Sequence, residues 1–365
     1  MDIFLFSVLF SGMSLSIYGS QPTAYKVQGE LQTFTVTETA TNSHTDALFE
    51  MVSQGKQWRL KVEYVRLPSK GPKYREFAGD GTDIYQLVSW DPALIDNTKS
   101  SNTEMARVSR GDIPDIATPV DYAAWFAMAG HHYFKSRTNS SMRNIFFDVR
   151  TNSVNFQASF SERYPSSMRN LRIYKPGLRY FRSKKAADGN ITKPPPPVRL
   201  PPPYDAGFIG AEYQTLSWTN TSAVEIPSEF RLDYFALRSN PMTGGYELAR
   251  TDVINGRVLS VTEIEAASDE QMLPMLTSKT TIIERRLEGV VGTAVYDSRQ
   301  AGWADGKDPK FTNTVKVLRT DAANASSGLR RTATKIIVVS AIGLVPVALF
   351  CMKNAVLKRK TNHHL

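Results

Sequence analysis

The sequence predicts a mainly β protein: one large, strongly curved antiparallel sheet whose concave face is covered by a helix, followed by a C-terminal transmembrane helix. Three observations predict this class. Segments rich in Val, Thr, Tyr and Phe alternate apolar with polar residues between turn residues, which is typical of half-buried strands. Tyr122–Ala129 is apolar nearly all round, as in an enclosed helix. Ile336–Met352 is an uncharged run of 17 residues, which just reaches the length of a bilayer span.

The first predicted strands lie between residues 25 and 92. In Gln57–Leu67, alternate residues from Trp58 to Tyr64 are apolar, so this strand has one buried and one polar face. Asp80-Gly81 supplies the positive-φ chemistry of a turn, and Asp91-Pro92 ends the series. The predicted strands of this part are Leu31–Thr39, Gln57–Leu67, Tyr74–Ala78 and Ile84–Trp90.

Later segments continue the pattern and predict a meandering sheet. The predicted strands are Leu171–Tyr174, Leu178–Arg182, Glu212–Trp218, Phe230–Leu237, Val258–Ile264 and Val290–Tyr296. Lys193–Pro203 is proline-rich, and such a segment is extended and cannot join a sheet interior. We therefore predict a spacer there, either at a domain boundary or in a loop that protrudes from one continuous sheet.

One long helix is predicted from Thr118 to Phe134. Thr118 can cap it, Pro119 suits the first helical position, and Asp121 stands three residues after the cap. A second, shorter helix is predicted over Ala266–Leu276.

The two apolar ends predict an exported chain. Ile3–Tyr18 resembles the apolar core of a signal peptide but lacks a basic start, so a cleaved signal, a retained anchor and a buried element all remain open. Cations flank the C-terminal span, which favours a single-pass protein of the cell envelope with its main domain on the periplasmic side. The predicted division is 1–20 (signal peptide or N-terminal anchor), 21–319 (exported β-rich domain with the polyproline loop 193–203), 320–335 (flexible tether), 336–352 (transmembrane helix) and 353–365 (basic cytoplasmic tail).

Composition excludes several classes of protein. A single cysteine excludes a disulfide framework, a cysteine-based zinc site and an iron–sulfur site. The formal charge of +9 is largely an end effect, because seven basic residues and no acid follow from Arg330 onward. We therefore expect no nucleic-acid partner.

The sequence contains no pattern that predicts catalytic, metal-binding or cofactor-binding residues. No phosphate loop, dinucleotide fingerprint, zinc-protease helix or nucleophile elbow is present. His131-His132 are adjacent on a helix, so their side chains leave the backbone about 100° apart and are expected to cap or pack the helix end. Asp80, Asp83 and Asp91 are expected to form turns. The predicted protein is not an enzyme.

One part of the chain is strongly basic. Residues 163–199 contain ten basic residues and one acid, with aromatic residues between them. For an exported protein this indicates either a surface for anionic lipid head groups, acidic glycans or a partner protein, or a solvated hairpin edge whose charges prevent edge-to-edge pairing. The candidate patch is Arg169, Arg172, Lys175, Arg179 and Arg182.

Several motifs carry a family resemblance. The run from Phe49 to Tyr64, followed by Tyr74–Pro92 with its Asp80-Gly81 turn, resembles the strand series of the outer-membrane lipoprotein-sorting family, the LolA/LolB-like fold. The apolar helix from Thr118 is similar to that family's plug helix, and Phe230–Leu237 with Val258–Glu265 resembles its closing strands. This chain departs from the family in its length, its polyproline insert, its C-terminal span and its lack of an N-terminal lipoprotein cysteine.

The resemblance implies a half-open β-barrel with a hydrophobic concave cavity that holds acyl chains. The expected function is a non-enzymatic, membrane-anchored envelope protein that binds a lipid or the acyl chain of an acylated protein. The alternative is a surface-anchored structural or adhesion module whose cavity is filled by its own side chains. The candidate cavity residues are Trp58, Leu60, Val62, Phe77, Tyr85, Trp125 and Phe126.

Overall fold

A computed structural model describes residues 24–36, 41–65, 71–91, 103–111, 113–114, 117–135, 155–162, 167–179, 196–220, 225–240 and 244–319. The predicted signal segment, tether, membrane span and tail lie outside these residues, as does Arg182. Within the described ranges, no helix combines the length and the apolar character that crossing a membrane requires.

The described chain is mainly β, with a large curved sheet and few helices. Its strands are β1 (Ala24–Val36), β2 (Thr41–Gln54), β3 (Gln57–Tyr64), β4 (Pro72–Gly79), β5 (Asp83–Trp90), β6 (Glu104–Arg110), β7 (Asn155–Phe160), β8 (Met168–Lys175), β9 (Leu178–Arg179), β10 (Val198–Arg199), β11 (Phe208–Asn220), β12 (Glu225–Ser239), β13 (Tyr246–Ile264), β14 (Thr280–Glu284) and β15 (Ala294–Asp297). Its helices are α1 (Pro119–Met128), α2 (Gly130–Phe134) and a 3-10 turn over Asp269–Met272; a further helical segment covers residues 311–319.

Thirteen strands form one open sheet in the order β15-β14-β6-β5-β4-β3-β2-β1-β13-β12-β11-β8-β7. Neighbouring strands are antiparallel except β6 and β14, which pair in parallel. The prediction of a purely antiparallel sheet is therefore wrong at this edge. The C-terminal part of the chain returns to the free side of β6 and continues the sheet with β14 and β15.

The proline-rich segment leaves and re-enters the same sheet. β8 and β11, which flank it in the chain, are direct neighbours in the sheet. Between them, Val198–Arg199 folds back as β10 and pairs with β9. The strands before and after the prolines thus belong to one continuous sheet.

The N-terminal cap of α1 is as the sequence predicts. The Thr118 hydroxyl accepts from the Asp121 amide, and the Asp121 carboxylate accepts from the Thr118 amide. The predicted single helix is wrong in its second half, because α1 ends at Met128, Ala129 is its C-cap, and a separate α2 begins at Gly130. A Cβ at Gly130 would lie 2.8 Å from the Met168 side chain, so glycine allows the helix and β8 to approach closely.

The second predicted helix, Ala266–Leu276, is wrong beyond one 3-10 turn. Ser268 and Gln271 cap that turn reciprocally. Leu273 then takes an extended backbone conformation with ψ 151°, as expected for a residue before proline, and Pro274 ends the turn.

Two glycines accommodate aromatic rings on the concave face. Gly29 pairs with Phe49 and Gly256 pairs with Phe230 in register, and each ring lies over the glycine of its neighbouring strand. A Cβ at Gly256 would lie 2.1 Å from the Phe230 ring. Because the concave side of a curved sheet is crowded, a missing side chain creates the space that a neighbouring ring fills.

Replacing Gly256 should therefore destabilise the fold. Phe230 is fully buried and packs edge-to-face on Phe49, so its ring has no room to withdraw. We expect Gly256→Ala to lower the free energy of unfolding by about 2 kcal/mol, as overpacking does. The matched control is Gly289→Ala, where no described atom lies within 4 Å of the new Cβ, and we expect a change within about 0.5 kcal/mol. Urea denaturation measures both; equal stability of the two variants would contradict the close packing.

Candidate functional site

Most of the predicted cavity residues meet on the concave face. Six of the seven belong to one hydrophobic cluster, and each of these six is at most 3% exposed: Trp58, Leu60, Val62, Phe77, Trp125 and Phe126. Trp58, Leu60 and Val62 share the concave face because every second side chain of β3 points to the same side of the sheet. The sequence pattern therefore finds the apolar face and the helix that covers it.

Tyr85 lies on the opposite face, so its assignment to the concave lining is wrong. Its neighbour Ile84 belongs to the concave cluster, whereas Tyr85 packs with Ala78 and contacts Trp303 edge-to-face at a centroid distance of 5.2 Å. β5 is buried on both faces because the C-terminal segment covers its outer side. A strand covered on both sides does not alternate between polar and apolar residues, so its sequence does not reveal which side faces the helix.

Aromatic rings of the two helices fill the concave space. Trp125 contacts the rings of Phe126, Tyr133 and Phe134 at centroid distances of 5.5, 6.2 and 6.0 Å, and Phe126 also contacts Tyr213 of β11 at 6.0 Å. The indole N–H of Trp125 is buried and has no hydrogen-bond partner within the described residues. A buried donor in this state costs about 1–3 kcal/mol.

A polar cluster fastens the start of α1 to β3 and β4. The Asp121 side chain is fully buried; its carboxylate accepts from the Tyr64 hydroxyl at 2.7 Å and from Arg75 Nη1 at 2.9 Å. Burial and the Asp121 charge raise the pKa of Tyr64, so its phenol remains a donor. Burial alone would lower the pKa of Arg75. The interactions with Asp121 and Tyr64 together have the larger effect, so the pKa of the guanidinium is raised. The Nε–H of Arg75 has no partner among the described residues.

His131 and His132 pack inside the protein at the other end of the helical pair. Although adjacent helical side chains diverge from the backbone, the two rings converge to a centroid distance of 4.0 Å. Burial, with smaller contributions from His132 and Lys135, lowers the pKa of His131 well below its usual value. Burial and the charge of Lys56 lower the pKa of His132 to about 4. Both imidazoles are therefore neutral at pH 7.

Four of the five predicted basic-patch residues lie within the described ranges. Arg169 and Arg172 are exposed on β8, and Arg172 binds Glu212 at 2.7 Å. Arg179 donates to the Tyr246 hydroxyl at 2.9 Å, and the Lys175 stem lies against Gly210. Because β8 lies between β7 and β11, it is not the sheet edge that the alternative interpretation assumed.

Of the three acids expected at turns, Asp80 has that role and Asp83 does not. Asp80 Oδ1 accepts from the amides of Thr82 and Asp83, both at 2.8 Å. Asp83 instead joins a buried ion cluster with Glu284 and Arg286 on the outer face. No local sequence pattern indicates this cluster, because Asp83 and Arg286 lie 203 residues apart in the chain. No group of three or more potential metal ligands occurs in the part of the chain that the structure describes.

An open groove of about 710 Å³ lies among β1, β2, β11, β12 and β13. Leu48 and Leu216 line it, each about half exposed. Its other lining residues include the charged Glu30, Asp46, Glu229 and Arg257. Leu48 stands between two residues of the concave cluster, so its side chain projects from the opposite face.

Comparisons with known proteins concern the fold. No protein-family model matches the sequence, and no curated protein matches it. The structure is similar to a LolA superfamily protein from Nitrosomonas europaea (11% identity, TM-score 0.33, 69% of this chain and 91% of that chain). It is also similar to an outer membrane lipoprotein-sorting protein domain from Vibrio parahaemolyticus (8%, 0.29, 68% and 89%) and to lipovitellin (8%, 0.29, 71% and 28%). The resemblance that the sequence predicts is thus confirmed as a weak, partial match.

The buried histidines predict a loss of stability in mild acid. A histidine whose pKa is lowered in the folded state binds fewer protons there than in the unfolded chain, so the free energy of unfolding falls as pH drops below about 6.5. Between pH 7.5 and pH 5.5 we expect a loss of about 1.4 kcal/mol per histidine. Urea denaturation of the wild type and of the double variant His131→Phe, His132→Gln measures it. An equal loss in the double variant would contradict this assignment.

Proposed function

We propose that this chain is a non-enzymatic carrier that binds the acyl chain of a lipid or of an acylated protein on its concave face. The observation that carries the proposal is the buried indole N–H of Trp125, which lacks a partner among the described residues although it stands in the middle of an aromatic cluster. An ester carbonyl or carboxylate at the head of an acyl chain would accept this hydrogen bond. The surrounding rings would contact the tail.

The concave face suits an acyl chain better than the open groove does. A methylene chain gains free energy only where it leaves water for apolar surroundings. The groove is lined by Glu30, Glu229 and Arg257, which would lose hydration against a tail. The concave cluster instead consists of apolar and aromatic side chains, with polar groups at its margin around Asp121.

An acyl chain must move α1 outward, which would leave Trp125 at the rim of the concave face, where its N–H donates to the head group. The free energy lost from helix packing and the free energy gained by the buried tail are similar in size. Each large side chain that α1 buries contributes about 1.5–3 kcal/mol, so the five largest together contribute about 11 kcal/mol. They are Val120, Tyr122, Trp125, Phe126 and Met128. A saturated tail of about 15 carbons gains about 12 kcal/mol on burial, at about 0.8 kcal/mol per methylene. An exchange of helix for tail is therefore nearly balanced for long chains and unfavourable for short ones.

A second candidate function is supported by the filled concave face. The rings of α1 and α2 occupy the space that a ligand would need, and Trp125 is only 1% exposed. In a structural or adhesion module, this packing would be permanent and the sheet would serve only as a scaffold.

Membrane anchoring and an envelope location are part of the same proposal. Ile336–Met352 would hold the domain at a membrane, with the main domain on the periplasmic side. The exposed Arg169 would then be available to anionic head groups.

Binding of palmitate to the full-length chain tests the carrier. We expect native mass spectrometry to detect a palmitate complex and no octanoate complex. Trp125→Phe keeps a ring but removes the N–H, so we expect about a fivefold to tenfold loss of palmitate affinity, the size of one hydrogen bond. Hexadecane has no acceptor and should bind both proteins equally. If no long-chain ligand binds the wild type, the structural module is the better account.

One charge in the predicted span tests the anchor. Arginine at the centre of a membrane helix costs about 2.5–3.5 kcal/mol on insertion scales. We expect Leu344→Arg to move much of the protein into the soluble fraction after carbonate washing, whereas Leu344→Val should remain in the membrane fraction. Removal of the wild-type protein by carbonate alone would contradict the anchor.

A further inference from the structure

A buried ion cluster on the outer face carries an unbalanced charge. The Arg286 side chain is 1% exposed and lies between Glu284 and Asp83, whose side chains are 0% and 9% exposed. Arg286 Nε and Nη2 donate to the two Glu284 oxygens at 3.0 and 2.7 Å, and Nη1 donates to Asp83 Oδ2 at 3.1 Å. Two carboxylates thus share one guanidinium, so the cluster carries a net charge of −1 when both carboxylates are ionised. A buried charge in this state requires a proton or a cation.

The guanidinium has no capacity left for a further acceptor. Its remaining interactions are a hydrogen bond from Nη2 to the Ala304 carbonyl at 2.6 Å and a long contact from Nη1 to the Tyr85 hydroxyl at 3.5 Å. Phe311 covers its face at 4.4 Å from the ring centroid. Asp83 Oδ1, in contrast, has no hydrogen-bond partner in the described ranges. The cluster therefore presents an acceptor and no donor.

A cavity of about 230 Å³ has Asp83 among its lining residues, and we refer to it as the outer pocket. It has room for several water molecules, since one water occupies about 30 Å³ in the liquid. The side chains of Tyr85, Met272, Leu273 and Phe311 form apolar parts of its wall. Gly306 brings its backbone against the ion cluster, because a Cβ there would lie 2.7 Å from Arg286 Nη1 and 3.2 Å from Asp83 Oδ2.

We propose that the outer pocket binds the primary ammonium group of a small alkylamine, with an N–H donated to Asp83 Oδ1 and the alkyl stem against the apolar wall. The ammonium would balance the excess buried charge and satisfy the unpartnered acceptor together. An anion is disfavoured because the donors of Arg286 are occupied and the carboxylates of Asp80, Asp83 and Asp305 line the same pocket. A neutral apolar ligand would leave the charge uncompensated.

A proton and two cationic side chains compete for the same charge. Burial raises the pKa of Asp83, although Arg286 opposes this, so a proton is one competitor. Arg110, which stands opposite Asp83 in the register of β5 and β6, and Lys307 are exposed and line the pocket. If Arg110 supplied the counter-charge, it would close the pocket to amines. The test therefore includes a variant at Asp83 and a variant at Arg110.

Calorimetric titration of the full-length chain with n-butylammonium chloride at pH 7.5 tests the proposal. We expect saturable binding with a dissociation constant on the order of millimolar, as suits a ligand of so few atoms. 1-Butanol has the stem without the charge, and butyltrimethylammonium has the charge without an N–H. We expect neither to bind measurably. Binding of either control as tight as that of butylammonium would overturn the proposal.

Two variants complete the test. Asp83→Asn should weaken butylammonium binding by at least about tenfold, because it removes the excess charge. Arg110→Gln should tighten binding by about threefold, because it removes a competing cation at an exposed position. This second variant keeps the test decisive if Asp83→Asn does not fold. Absence of binding to the wild type, or unchanged affinity in Arg110→Gln, would overturn the proposal. Failure here leaves the palmitate result on the concave face unaffected.

Discussion

The burial of α1 against the concave face is the interaction on which the rest of the structure depends. A curved sheet of this size exposes more apolar side chains on its inner side than its own strands can cover, and such a surface is unstable in water. Trp125 and Phe126 cover it, and the rings of Phe49 and Phe230 occupy the space that a side chain at Gly29 or Gly256 would take. Strand curvature, glycine placement and helix composition are therefore three consequences of one packing requirement.

The two faces of the sheet bury different kinds of side chain. On the concave side, the described core is apolar, and the Asp121–Arg75 ion pair lies at the start of α1. On the outer side, the C-terminal segment buries ionised groups within the protein, with Arg286 between Asp83 and Glu284. On the concave side, a helix that moves outward can make space for an acyl chain. On the outer side, an uncompensated negative charge favours a cationic ligand. The two proposed sites thus differ in chemistry as well as in place.

Sequence reasoning succeeds here where a local pattern reflects the local environment. The alternation of β3 reveals its buried face, and Thr118, Pro119 and Asp121 reveal the start of α1 because capping is a contact between near neighbours. It fails where the environment is built from distant segments. Nothing near Tyr85 in the chain indicates that Trp303 covers it, and the partner of Asp83 is Arg286. The parallel pairing of β14 with β6 likewise depends on how the chain returns, which no local pattern shows.

The central claim is that α1 exchanges with a ligand on the concave face. Hydrogen exchange of the backbone amides, measured on the full-length chain with and without saturating palmitate, tests it most directly. We predict that the amides of residues 120–128 of α1, a helix that packs against β12 and β13, exchange faster with palmitate, while those of β3 and β4 remain protected. Unchanged or stronger protection of α1 in the presence of bound palmitate would contradict it.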